Sequence, residues 1–65
     1  MKAHELREKT IEELKKDLRD QQEELFRFRF QAKLGKLENA VVMRRTRRNI
    51  ARIKTILTEK QNERG

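Results

Sequence analysis

The chain has 65 residues and no cysteine, with 45% charged and 34% hydrophobic residues and a formal net charge of +7. So short a chain holds one domain at most and buries little apolar surface. Disulfides and cysteine-built zinc sites are excluded, and with His4 as the one histidine a metal site would have to be all carboxylate, without any calcium-loop pattern to support it. A pI near 10.4 points to a polyanionic partner.

No apolar run approaches the roughly 20 residues of a membrane span, and the N-terminus lacks the apolar stretch of a secretory signal. A cytosolic protein is expected. Charge-rich composition also fits disorder, but the order of residues argues against that. Proline is absent and the two glycines are Gly35 and Gly65, while Glu, Lys, Arg, Leu and Gln dominate both halves.

Residues 1–9 read as a mixed-charge leader with room for one helical turn around Glu5 and Leu6. The first long helix is predicted over residues 10–34. Thr10 and Glu13 fit a capping box, in which each side chain accepts an orphan N–H at the helix start. Ile11, Leu14, Leu18, Leu25, Phe28 and Ala32 follow at helical spacing as one apolar stripe, with Gln21 as its polar member. Glu12 with Lys16 and Glu23 with Arg27 form i, i+4 pairs. Gly35 stops the helix.

The second helix is predicted over 39–62, starting near Asn39 as N-cap and fraying in Gln61-Asn62-Glu63-Arg64. Its stripe is Met43, Thr46, Ile50, Ile53 and Leu57. Each helix is roughly 35 Å long, and a link of about four residues makes them antiparallel neighbours. The fold class is therefore all-α, an antiparallel two-helix hairpin. Folding at the turn would set Phe28 against Met43 and Thr46, Leu25 against Ile50, Leu18 against Leu57, and Gln21 near Ile53. Two helices make a thin core, so stability is expected to be marginal alone and firm on a partner.

The strongest functional signal is Arg44, Arg45, Arg47, Arg48 and Arg52, five arginines in nine residues. On a wheel with Ile50 at zero, Met43, Ile53 and Leu57 lie within about 60°, whereas Arg44, Arg45, Arg48 and Arg52 lie roughly 120–220° round. Arg44, Arg48 and Arg52 form an i, i+4, i+8 ladder of like charges that calls for an anion. The planar guanidinium fork suits phosphate. A solvated face paired with acids is the bland alternative, but residues 36–54 hold seven basic side chains and one acid, Glu38. Arg47 and Lys54 lie nearer the seam and suit packed stems with charged heads on RNA. Arg29 and Lys36 gather with Arg27 and Lys33 at the turn end of the first helix, which otherwise mixes both charges. RNA is therefore expected along the second helix and beside the turn.

Phe26, Phe30 and Leu34 form a second apolar set, about 100–180° from the Leu25 stripe. A docking patch for a partner protein is the favoured reading; base stacking and simple tolerated exposure stay open. No nucleophile–base pair, glycine-rich phosphate loop or His/Cys cluster supports catalysis, and no cofactor or small-molecule substrate is implied.

With these residues described, the chain closely resembles the bacterial large-subunit ribosomal protein of family twenty-nine. The resemblance rests on Glu5-Leu6-Arg7, Glu12-Glu13-Leu14, Phe26 with Arg29, Gln31, Ala32, Gly35 and Leu37, and above all Arg47-Arg48-Asn49-Ile50-Ala51-Arg52-Ile53-Lys54-Thr55. It runs without gaps over nearly the whole chain, although Phe28, Phe30 and Leu34 are bulkier or more apolar than the family pattern. It implies a helical hairpin on large-subunit ribosomal RNA, in the cytoplasmic ribosome. It also implies a place beside the polypeptide exit tunnel, next to the ribosomal protein of family twenty-three. Two rival readings are a homodimer of hairpins acting as an RNA chaperone or regulator, with Phe26, Phe30 and Leu34 as dimer face, and an amphipathic helix on a membrane surface. The absence of Trp, and the use of the stripe within the hairpin, weigh against the membrane.

Overall fold

The computed structural model describes residues 2–63. It contains a short helix α1 (Ala3–Arg7) and two long helices, α2 (Ile11–Lys33) and α3 (Val41–Glu63). The long helices pack against each other as the expected hairpin, and α1 packs on α3. The rod so formed measures 45 × 17 × 14 Å.

Local chemistry sets the ends of the long helices. The Thr10 hydroxyl accepts the Glu13 N–H at 3.1 Å and the Glu13 carboxylate accepts the Thr10 N–H at 3.1 Å, completing the capping box. The Thr10 backbone N–H, then the Thr10 side chain, hold the Glu13 carboxyl below its ordinary value. At the other end of α2, Gly35 takes φ +69. Its N–H donates to the Ala32 carbonyl and the Lys36 N–H donates to Gln31, a Schellman pair that satisfies carbonyls the helix leaves open. Asn39 lies two residues before α3, and its side-chain oxygen accepts the Val41 N–H at 2.9 Å. The N-cap position is Ala40, whose carbonyl accepts the Arg44 N–H, so Asn39 caps from one residue before the expected place and the helix starts two residues later than expected. Gln61, Asn62 and Glu63 are helical, which carries α3 one residue past its expected end; Arg64 lies outside the described residues.

The core departs from the two-helix expectation. It consists of Leu6, Leu14, Ile53 and Ile56, with Leu18 and Leu57 packed against it. Leu6 is 1% exposed. The leader therefore supplies a third wall, and Ile56, outside the predicted stripe, is buried because α1 covers that flank of α3. Arg7 reaches Glu59 on α3 at 3.4 Å, and Lys9 pairs with Asp17 on α2. The Asp17 carboxylate holds the Lys9 ammonium above its ordinary value. Lys16 engages Asp20, one turn on, in place of the expected Glu12.

Toward the turn the seam opens. Leu25, Phe28, Met43 and Ile50 are half-buried, and Ala32, expected in the stripe, is exposed. The polar stripe members are accounted for. The buried Thr46 hydroxyl donates to the Val42 carbonyl at 2.8 Å. Gln21 accepts a hydrogen bond from the Asn49 side-chain amide across the hairpin at 3.4 Å.

Candidate nucleic-acid interface

The two long helices differ in charge although they are equal in length. Between Ile11 and Lys33, α2 carries six basic and six acidic side chains, whereas α3 carries seven basic and two acidic ones, with no acid before Glu59. The first turn of α3 holds no acid to offset the positive end of the helix dipole. Within α3 the positive end of the dipole and the arginines therefore have the same sign, while the C-terminus of α2, at the same turn, brings the opposite end of its own dipole.

Every basic residue singled out from the sequence is exposed: Arg29, Lys36, Arg44, Arg45, Arg47, Arg48, Arg52 and Lys54. The structure divides them into groups. Arg44 and Arg48 occupy the outer face of α3, opposite the buried Thr46 and Ile53, while Arg45 lies on the flank of the helix that also carries Ile56. Arg29 and Lys54 come together from different helices around a shallow hollow with Gln22, Leu25, Phe26 and Ile50. By helical angle Arg47 lies on that same edge. Lys36 stands at the turn, in a hollow it shares with Glu38 and Asn39.

Arg52 is the exception within the ladder. Spacing alone puts it on the open outer face, but it lines a hollow with Lys2, His4 and Arg7 of the N-terminal segment. Ile56, buried next to it around α3, shows why: α1 occupies this side of the helix. Lys2 and Arg7 are thus basic groups beside α3 that spacing along α3 could not reveal. Their signal in the sequence was Leu6, an apolar residue flanked by charges in the leader, where one helical turn was expected.

Phe26, Phe30 and Leu34 are 73%, 58% and 53% exposed, so none of the described elements covers them. Phe26 and Phe30 share a hollow with Arg29, Lys33 and Met43, and its charged lining is entirely basic. Among the described residues no group of three or more His, Cys, Asp or Glu side chains could hold a metal ion. No described helix is long and apolar enough to cross a membrane.

Comparison with known proteins agrees with this architecture. A family model described as ribosomal L29 protein matches residues 4–60. The large ribosomal subunit protein uL29 of Pelotomaculum thermopropionicum is 52% identical over 61 residues, 94% of this chain and 91% of its own length. That of Desulforudis audaxviator is 51% identical over the same shares. That of Syntrophotalea carbinolica is 47% identical over 62 residues, 95% of this chain and its own full length. With a match over 57 of its 65 residues and near-half identity along almost its entire length, the chain belongs to the ribosomal L29 protein family.

Proposed function

We propose that the chain is a structural, non-enzymatic constituent of the large subunit of the cytoplasmic ribosome, and that it holds large-subunit ribosomal RNA through the outer face and turn-side edge of α3. The observation that carries this reading is the acid-free run from Val41 to Thr58, whose arginines are all exposed, on a chain of this family. Arg44, Arg45, Arg48 and Arg52 supply phosphate contacts. Arg47, Lys54, Arg29 and Lys36 extend them across the seam and onto the turn. These contacts position the protein on RNA and carry little base information themselves. Folded RNA suits such a rod, since its shape and phosphates are what a rigid basic helix can engage.

The same reading places the protein beside the polypeptide exit tunnel, next to the ribosomal protein of family twenty-three, with Phe26, Phe30 and Leu34 as the protein-facing patch. The exposure of those three side chains supports a partner. It equally favours the second reading, a homodimeric hairpin that chaperones or regulates RNA. Sedimentation separates the two: a stable dimer at micromolar concentration, absent from ribosomes, supports the second.

The test of RNA binding is the pair Arg44→Ala with Arg48→Ala, titrated against large-subunit ribosomal RNA over a range of salt. Affinity should fall at least about tenfold and the salt slope should drop by about two, with helicity unchanged. Unaltered affinity would move the RNA to another face.

A further inference from the structure

The placement of α1 builds a site that neither long helix contains. Between the N-terminal segment and the C-terminal half of α3 lies a hollow whose apolar lining is Ala3, Ala51 and Ile56. Its charged lining is Lys2, Arg7 and Arg52, with His4 beside them, and among the described residues no acid lines it. Glu59 stands just outside, and its carboxylate accepts a hydrogen bond from the Arg7 Nε–H at 3.4 Å. That contact fixes the Arg7 stem at the rim and does not use the terminal Nη groups, which are the ones a phosphate would meet. The Thr55 hydroxyl also lines the hollow, and it donates its hydrogen to the Ala51 carbonyl at 3.0 Å. It therefore presents oxygen lone pairs outward, as acceptors.

We propose that this hollow is a second RNA contact, at the end of the rod away from the turn. Lys2, Arg7 and Arg52 hold a phosphate, the attached nucleoside rests on the exposed Ala3 and Ala51, and Thr55 accepts the ribose 2′-hydroxyl. The inference rests on the RNA-binding reading above and extends it to α1. Charge complementarity selects the occupant: three cations around a small apolar surface suit a nucleotide, and the surface is too small for an apolar helix. Continuity selects it too. Arg52 is the last rung of the Arg44–Arg48–Arg52 ladder, with rungs roughly 6 Å apart along the axis, so a strand that follows the ladder arrives at the hollow. The acceptor at Thr55 favours RNA over DNA.

The experiment uses the full chain and large-subunit ribosomal RNA, with hydroxyl-radical footprinting and titration at several salt concentrations. Lys2→Gln with Arg7→Gln should weaken binding about 5- to 20-fold, lower the salt slope, and erase one protected segment while the others persist. Ala51→Glu, an exposed position outside the buried core, should do the same by adding an acid to the hollow; it decides the matter if the first variant melts early. If both variants keep the parent footprint and affinity while Arg44→Ala with Arg48→Ala binds weakly, the hollow is not an RNA site and the main reading stands. If all three bind as the parent does, the main reading fails first. A photoreactive side chain at position 55 should cross-link to RNA in reconstituted subunits; cross-linking to protein alone would overturn the proposal.

Discussion

The two ends of the rod are built from similar apolar residues and are finished differently. At the end away from the turn, α1 lies over α3, and Leu6, Leu14, Ile53 and Ile56 are all nearly inaccessible. At the turn end only two helices meet, and Phe26, Phe30, Leu34 and Val41 remain exposed. A pair of helices has one shared seam, so apolar groups outside that seam need a third element. The chain provides one at a single end. The closed end encloses the core, and the open end leaves apolar side chains exposed among basic ones.

The contrast is broken most directly by truncating one apolar side chain at each end. Leu6→Ala should destabilise the protein by about 2–5 kcal/mol, because it empties a fully enclosed position. Phe26→Ala should change stability by less than about 0.5 kcal/mol, since the ring it removes already faces solvent. Urea unfolding followed by circular dichroism measures both. Equal effects at the two ends would mean that α1 contributes no real wall.

The turn offers a smaller test. Gly35 has a positive φ, and a Cβ added there would meet nothing within 4 Å. The cost of Gly35→Ala is therefore conformational alone, about 1 kcal/mol by the same unfolding measurement. It should leave the Leu6 end intact, as judged by hydrogen exchange in α1 and the C-terminal half of α3. A larger loss would show that the turn, as well as the core, governs cooperativity.

The smallest effect belongs to the cap at the closed end. Glu13 is held below its ordinary value of 4.5 by the Thr10 N–H. Its contribution is therefore complete above that value and disappears as the pH falls through the lowered one. Glu13→Gln keeps an oxygen acceptor and should melt close to the parent at neutral pH. The parent should then lose more stability than the variant on acidification from about pH 5 to about pH 3. Parallel melting curves over that range would detach the capping box from the stability of the closed end.

Much of this was legible in the order of residues. Thr10, Glu13, Gly35 and Asn39 act within a few residues of themselves, so their roles as caps and stops follow from local backbone chemistry. The arginine face of α3 follows from spacing, because the 3.6-residue period fixes which side chains share a side. Ile56 and Leu6 were not legible in the same way. Ile56 lies off the stripe of its own helix, and its burial depends on where a separate short helix docks.

By itself, then, the sequence determined the two long helices, the antiparallel turn, the charge difference between α2 and α3, and the exposure of the arginines. Each is a property of neighbours along the chain or of a single helical period. Only the tertiary structure decided that the leader is a wall of the core, that Arg52 parts from Arg44 and Arg48 to stand beside Lys2 and Arg7, and that Arg29 and Lys54 share an edge. Those pairings join residues 25 to 50 positions apart. Their geometry is set by which apolar side chains can be enclosed together, a condition that no local period records.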